Sequence, residues 1–156
     1  MMRQEYNIVI TDTSCLILLS KINELSLLQK IFNKVYTTND ILSEFGNPLP
    51  SWILVKSPIN KNFQNVLELK IDKGEASAIS LSLEIDNSII ILDDLKARKL
   101  ANNLNIVYSG TFGTILKAKK LGIIKSVKPI LRKIRKTNFR FSEIVYEVIL
   151  REAGEL

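Results

Sequence analysis

The 156-residue chain contains no histidine and a single cysteine. Without histidine, Ser-His-Asp and Cys-His nucleophilic catalysis and histidine-ligated zinc sites are excluded. The lone Cys15 excludes an internal disulfide framework. Any catalytic chemistry in this protein therefore has to rest on carboxylates, hydroxyls, lysines or a bound hard metal ion.

Long apolar runs are also missing, and none approaches the roughly eighteen residues that a membrane-spanning helix needs. The first twelve residues, MMRQEYNIVITD, lack the basic end, apolar stretch and cleavage site of a signal peptide. No linker, repeat or low-complexity segment divides the chain. Its length suits one domain. We therefore expect a single cytoplasmic domain over residues 1–156, without a membrane partner.

Acidic residues are absent from residues 95–142, which hold thirteen lysines and arginines. By contrast, residues 1–94 carry a net charge of −4 and residues 143–156 a net charge of −3. Lysines on amphipathic helices can simply be solvated, and for any single lysine that interpretation is the better one. For thirteen with no acid between them, we favour a basic face beside an acidic focus, which suits a polyanionic substrate.

Short apolar runs alternate with segments of helical periodicity over most of the chain. This alternation predicts an α/β three-layer domain around a mainly parallel central sheet. The SIIIL run at 88–92 is typical of a strand buried on both faces. Strands are predicted at 6–10, 34–37, 52–56, 88–92 and 105–109. Helices are predicted from TDTS (11–14) through Leu28, and at 41–45, 61–70, 71–85, 95–104, 111–122, 126–136 and 142–154.

Carboxylates stand where the predicted strands end or the predicted helices begin. Asp12 directly follows the first strand, and Asp93 and Asp94 directly follow the strand at 88–92. Glu44 and Glu75 lie on or near helix starts. Functional groups of parallel sheets gather at the carboxyl ends of the strands. A right-handed winding can bring all of these positions to one edge.

Each acid, taken alone, also has a structural interpretation. Asp12 can cap the first helix, and Asp94 can cap the helix at 95–104. Asp72 and Glu75 have the spacing of a capping box, and Glu44 can be a solvated helix residue. These interpretations do not predict that the acids gather beside one sheet edge, so both alternatives stay open.

A pocket of several carboxylates would take up protons unless cations compensate its charge. Mg²⁺ or Mn²⁺ supplies that charge and prefers oxygen ligands. Such an ion activates water for hydrolysis of a phosphodiester, and this chemistry needs no histidine. The acids and the basic segment together favour a metal-dependent site that acts on nucleic acid.

Several segments resemble PIN-domain proteins, the family that includes the VapC-type ribonuclease toxins of prokaryotic toxin–antitoxin pairs. The order and spacing of the matching pieces carry the resemblance, which spans nearly the whole chain. A glutamate stands at 75, where the commoner family pattern has an aspartate. The matching pieces are IVITDTSCLILLSKI, DILSEF, DKGEASAISLSLE, IIILDDLKARKLA and VYSGTFGTILKAKKLG, with the ending NFRFSEIVYEVILREAGE.

The resemblance implies a compact α/β/α PIN fold and an Mg²⁺- or Mn²⁺-dependent endoribonuclease, a hydrolase acting on RNA. Asp93 is favoured over Asp94 as the fourth acid because it directly ends the strand. The implied catalytic residues and metal ligands are Asp12, Glu44, Glu75 and Asp93, with Asp94 as the alternative ligand and Ser14 or Thr111 as an assisting hydroxyl.

RNA is the expected partner, and the candidate contacts to it are Lys96, Arg98, Lys117 and Lys120. A cognate antitoxin and a second copy of the chain are further candidate partners. One alternative is a PIN-like domain that binds nucleic acid or protein and cleaves weakly or not at all. A phospho-receiver domain ranks third, because only Asp12 follows the first strand where a receiver needs an acidic pair.

Overall fold

The structure, a computed structural model, describes residues 6–156. Five parallel strands form one sheet within this range, in the order β3-β2-β1-β4-β5. Phospho-receiver proteins have the order 2-1-3-4-5, so the receiver alternative is wrong. The strands are β1 (Ile8–Thr11), β2 (Lys34–Thr37), β3 (Ile53–Val55), β4 (Ser88–Ile91) and β5 (Tyr108–Ser109).

Nine helices accompany the sheet in the described part of the chain. They confirm the predicted three-layer α/β/α architecture and most of the predicted elements. The helices are α1 (Thr13–Lys21), α2 (Ser26–Ile31), α3 (Asn39–Phe45), α4 (Lys61–Leu67), α5 (Lys73–Ser82), α6 (Leu95–Asn103), α7 (Thr111–Lys120), α8 (Lys128–Arg135) and α9 (Glu143–Glu152).

Helices cover the central strands on both faces. Successive side chains of a strand point to opposite faces, and Ile90 and Ile91 of β4 are both fully buried. Val9 and Ile10 of β1 are buried in the same way. The continuous apolar run at 88–92 therefore reflects a strand enclosed between two helical layers, as predicted. Burial of apolar surface in these layers provides the main driving force for folding.

The first predicted helix is interrupted, which corrects the expectation of one helix through Leu28. The break lies at Asn23, which has a φ of 57° in the left-handed region. Asparagine tolerates this conformation better than most residues. The leucine pattern survives the break, because Leu19 of α1 and Leu28 of α2 are both buried.

The last strand is shorter than the predicted range 105–109. Asn105 has a φ of 59°, and the Ile106 N–H donates to the carbonyl of Ala101 at the end of α6. These residues therefore complete the helix terminus. Only Tyr108 and Ser109 are left to pair with β4.

All five strands run in the same direction, so their carboxyl ends share one edge of the sheet, here called the carboxyl edge. Helices α1, α3, α6 and α7 begin within a few residues of this edge. In residues 6–156, no helix is long and apolar enough to cross a membrane.

Candidate active site

Asp12 joins the two central strands at the carboxyl edge. It follows β1 and serves as the N-cap of α1, because its Oδ1 accepts the Cys15 N–H at 2.9 Å. Its Oδ2 accepts the main-chain N–H of Asp93 at 3.2 Å. The cap predicted from the sequence is thus present, and the same carboxylate also fixes the turn that follows β4.

The carboxyl group of Asp12 is almost completely enclosed, with 3% of the residue exposed. Burial raises its pKa to about 7, and the nearby charge of Asp93 adds to the rise. The N–H groups of Cys15 and Asp93 oppose that shift. Ionising Asp12 near neutral pH is therefore costly without a compensating cation.

Asp93 is held at both oxygens by the start of α7. The Thr111 N–H donates to Oδ1 at 2.9 Å, and the Thr111 hydroxyl donates to Oδ2 at 2.6 Å. Gly110, the N-cap of α7, has no side chain to fill this role. Asp93 therefore caps α7 from a different element.

Arg98 lies against the same turn. Its Nε donates to the Leu92 carbonyl at 2.6 Å, and its Nη2 lies 3.9 Å from Asp93 Oδ1. The guanidinium carbon is 5.7 Å from the ring centroid of Tyr108. A Cβ at Gly110 would overlap Arg98 Nη2 and lie 2.9 Å from Asp93 Oδ1. Glycine at 110 therefore provides the space that the Arg98–Asp93 pair occupies.

Asp94 is exposed and caps α6, since its Oδ2 accepts the Ala97 N–H at 3.0 Å. This capping role was one of the two interpretations open from the sequence. The neighbouring aspartates thus cap different helices, Asp94 its own and Asp93 the next one. The choice of Asp93 over Asp94 as metal ligand stays a prediction.

Glu44, on α3, lies against the start of α5. Its carboxylate occupies the space beside Gly74, where a Cβ would overlap Glu44 Oε1. Burial raises the pKa of Glu44, and the charges of Asp72 and Asp40 add to the rise. A hydrogen bond with the Thr13 side chain opposes the shift. Because Thr13 directly follows Asp12 in the chain, this contact places Glu44 close to the Asp12–Asp93 pair.

Glu75 stands in the first turn of α5, where Asp72 Oδ1 accepts its N–H at 2.8 Å. The capping half of the predicted capping box is therefore present. The pKa of Glu75 is raised to about 7, mainly by burial and then by the charges of Asp72 and Asp94. Glu75 thus lies in the field of the aspartate that begins α6.

The acids form two neighbouring groups at the carboxyl edge. Asp12 and Asp93 are in direct contact through a hydrogen bond. Glu44 and Glu75 form the other group, because the charge of Asp72 acts on both of them. In residues 6–156, no set of three or more histidine, cysteine, aspartate or glutamate side chains is arranged as a ready metal site. Joint coordination by Asp12, Glu44, Glu75 and Asp93 stays a prediction.

The two candidate hydroxyls differ in position. Thr111 contacts Asp93 directly, as described above. Ser14 is exposed on α1, and none of the side-chain hydrogen bonds found in residues 6–156 involves it.

The candidate RNA-binding residues lie in three different settings. Lys96 is exposed in the first turn of α6, near the acids. Arg98 already forms a hydrogen bond with the Leu92 carbonyl and an ion pair with Asp93. Lys117 and Lys120 lie in the last turn of α7, at the opposite end from Thr111. Lys117 Nζ is 5.0 Å from the ring centroid of Phe32, which precedes β2. Their role in RNA binding stays a prediction.

Sequence reasoning missed Thr13, Gly74 and Gly110. Each stands directly beside a candidate residue in the sequence, at Asp12, Glu75 and Thr111. A glycine next to a functional residue at a helix start signals close approach of another group. That signal was available, but the approaching groups, Glu44 and Arg98, come from other elements.

The donor groups at this edge suit a hard cation. They are carboxylate oxygens, and Asp12 is a buried acid whose charge lacks compensation. Mg²⁺ is usually held by one or two carboxylates together with water and substrate phosphates, so a set of three is not required. The nearby Cys15 is buried and its pKa is raised above the ordinary range by that burial, so it offers no thiolate ligand. The residues present therefore fit Mg²⁺ or Mn²⁺.

Comparison with known proteins assigns the family. The family model DUF3368, described as a PIN domain, matches residues 8–155. No curated protein matches the chain. The matched range includes all five strands, all nine helices and every candidate acid. PIN domains are generally nucleases, and they typically use divalent metal ions. The chain belongs to the PIN-domain family, as its sequence motifs predicted.

Proposed function

We propose that this protein is an Mg²⁺- or Mn²⁺-dependent endoribonuclease that hydrolyses RNA phosphodiesters. The observation that carries the proposal is the state of Asp12. This buried carboxyl group has a pKa near 7 and lies beside Asp93 at the carboxyl edge of a PIN-fold sheet. Strongly shifted acids of this kind cluster at functional sites.

Asp12 and Asp93 would hold the cation. The bound ion would supply a more acidic water and stabilise charge on the phosphate. Thr111 and Arg98 orient Asp93, and the caps on α1 and α6 fix the main chain on either side. This arrangement is preorganised, since its side chains are already fixed by neighbouring hydrogen bonds.

Glu44 and Glu75 extend the acidic surface towards α5. Their raised pKa values mean that each gains from a nearby cation in the same way as Asp12. We propose Glu44 and Glu75 as further ligands, direct or through water. Asp94 is the alternative ligand to Asp93, because none of the hydrogen bonds found in residues 6–156 uses its second oxygen.

The substrate we propose is RNA, in keeping with the positive charge of residues 95–142. A role as the toxin of a toxin–antitoxin pair extends this proposal and rests on the family resemblance alone. The same holds for a cognate antitoxin and a homodimer as partners. A cytoplasmic location also stays a prediction.

The experiment is cleavage of labelled single-stranded RNA by purified protein with Mn²⁺ or Mg²⁺, and with EDTA. Asp12→Asn should abolish cleavage, whereas Asp86→Asn should retain it. Asp86 is a matched control because it is exposed and precedes β4, at the opposite edge of the sheet. Both variants should keep the wild-type circular dichroism spectrum. Equal cleavage by wild type and Asp12→Asn would contradict the proposal.

The second candidate is a PIN domain that binds RNA or protein without cleaving it. The occupied oxygens of Asp93 favour it, since Thr111 already uses both. In this case wild type binds RNA, shows no cleavage with either metal, and gains no thermal stability from Mn²⁺. A rise in melting temperature with Mn²⁺ that is lost in Asp12→Asn would instead support the enzyme.

A further inference from the structure

A surface cleft lies beside the acids, between the α4–α5 connection and α6. One wall is formed by residues 69–71, and the other by one face of α6. The α6 positions are spaced by three and four residues, so they lie along a single face of the helix. That face is about 10 Å long from its first to its last lining residue. The principal lining residues are Leu69, Lys70, Lys96, Lys99, Leu100 and Asn103.

The three lysines of the cleft are available to a ligand. Lys70, Lys96 and Lys99 are all exposed. Five ion pairs are found in the part of the chain that the structure describes, and none involves these lysines. No acidic residue lines the cleft. The charge of the cleft is therefore positive and uncompensated.

Both walls of the cleft lead directly to the acids. Ile71 in one wall precedes Asp72, and Lys96 in the other lies two residues after Asp94. The charges of Asp72 and Asp94 both act on Glu75. The residues that line the cleft are therefore next in the chain to the acidic groups at the starts of α5 and α6.

The walls also carry uncharged groups that suit a single strand. Leu69 is 84% exposed at the cleft, although it is apolar. Such a side chain can contact an unstacked base, while Asn103 offers hydrogen bonds. Protein contacts to single-stranded RNA typically combine a basic groove with contacts to splayed bases.

We propose that this cleft binds the backbone of single-stranded RNA and leads it to the acids, with Lys70, Lys96 and Lys99 contacting phosphates. This inference rests on the proposed function and names the substrate path for it. Lys70 and Lys99 were not among the residues expected from the sequence. The path differs from one along the end of α7, because Lys117 and Lys120 lie in the last turn of that helix, at the opposite end from Thr111.

The test is equilibrium binding of a fluorescent single-stranded RNA in EDTA, measured by anisotropy over a range of KCl concentrations. Without a divalent ion the RNA stays intact, so binding is separated from cleavage. The variant is Lys70→Gln/Lys99→Gln. The matched control is Lys30→Gln/Lys34→Gln, which removes two exposed lysines, one in the last turn of α2 and one at the first residue of β2.

Each lost phosphate contact lowers the salt dependence of single-strand binding by about 0.7 in the slope of log K against log salt. The cleft variant should therefore lose about 1.4 in slope and about 25-fold in affinity at 0.1 M salt. The control should keep the wild-type slope. A duplex of the same sequence should bind with little difference between wild type and the cleft variant.

Three results would overturn the inference. The first is equal slopes for the cleft and control variants. The second is a larger loss for the duplex than for the single strand. The third is the absence of RNA binding by wild type together with saturable binding of an acidic peptide, which assigns the cleft to a protein partner. Metal-dependent cleavage by wild type, tested separately, would leave the proposed function standing in the first two cases.

Discussion

Thr111 binds both carboxylate oxygens of Asp93, one through its main-chain N–H and the other through its hydroxyl. The two residues are 18 positions apart, one at the start of α7 and the other in the turn after β4. A helix N-terminus stabilises a negative charge placed at its free N–H groups. The contact therefore fixes the orientation of Asp93 before any ligand arrives.

Replacing Thr111 by valine should destabilise the protein. Thr111→Val retains the N–H bond to Asp93 and loses the 2.6 Å bond from the hydroxyl. A hydrogen bond to a charged group contributes about 1.5–3 kcal/mol, so the free energy of unfolding should fall by about that amount. Urea denaturation measures it. Thr111→Ser is the control and should lose only about 0.8 kcal/mol, for the missing methyl group.

Separate asparagine substitutions should distinguish the neighbouring aspartates. Asp94→Asn keeps a good N-cap residue for α6, so the free energy of unfolding should change by less than about 0.5 kcal/mol. Asp93→Asn loses the charge that faces Asp12 and should remove Mn²⁺ binding, measured by calorimetry. Loss of Mn²⁺ binding in Asp94→Asn alone would assign the ligand to Asp94 instead.

The Arg98–Gly110 contact predicts non-additive effects. Gly110→Ala should push the guanidinium out of its site while keeping its charge, and Arg98→Met should remove the same contacts. Each change should lower the free energy of unfolding by about 1–3 kcal/mol. The double variant should be less destabilised than the sum of the two, since each removes the same interaction. Strict additivity in urea denaturation would contradict this contact.

The stability of the metal-free protein should fall as pH rises through neutrality. The folded-state pKa of Asp12 is about 7, against an ordinary value of 3.8. Between these values the folded state binds more protons than the unfolded state, so stability decreases with rising pH. Urea midpoints in EDTA from pH 5 to 8 should show this trend. In Asp12→Asn, the fall in the free energy of unfolding across that range should be smaller by about 1–3 kcal/mol. The fall that is left comes from Glu75, whose pKa is also raised to about 7.

Glu155 should show the opposite pH dependence. Its side chain is 10% exposed, and its carboxylate accepts hydrogen bonds from Lys119, Ser126 and the Val127 N–H. Although burial raises its pKa, these bonds lower it to about 2. Its stabilisation is therefore complete above about pH 4.5 and is lost as pH falls towards 2. Glu155→Gln should cost about 1–2 kcal/mol at pH 7 and nothing near pH 2, with exposed Glu152→Gln as the control.

Local features of the fold followed directly from the sequence. The caps at Asp12, Asp72 and Asp94 each join residues three positions apart, so their spacing alone predicts them. The strand at 88–92 was evident because a continuous apolar run of that length suits a buried strand and is too short for a typical helix. The three-layer architecture followed from the alternation of such elements. Several boundaries differed by two or three residues, and two of the differences lie at Asn23 and Asn105, where a single left-handed residue ends a helix.

Tertiary structure alone decided which of the acids meet. Asp12 and Asp93 are 81 positions apart, and their contact depends on β1 and β4 being neighbours in the sheet. The sequence determined that acids follow these strands, because each stands at the end of an apolar run. It could not determine the strand order, since the pairing of parallel strands depends on long-range packing. That order is what brings Asp93 to Asp12 and leaves Glu44 and Glu75 with Asp72.

The same reasoning applies to the basic residues. The sequence determined that thirteen positive charges follow Asp94 without an acid between them. Only the fold decided their positions, placing Lys96 near the acids, Arg98 within the Asp93 turn, and Lys117 and Lys120 at the far end of α7. A helix that begins at the carboxyl edge carries its last turn away from that edge. Charge along the chain is therefore a property of the sequence, whereas charge beside the site is a property of the fold.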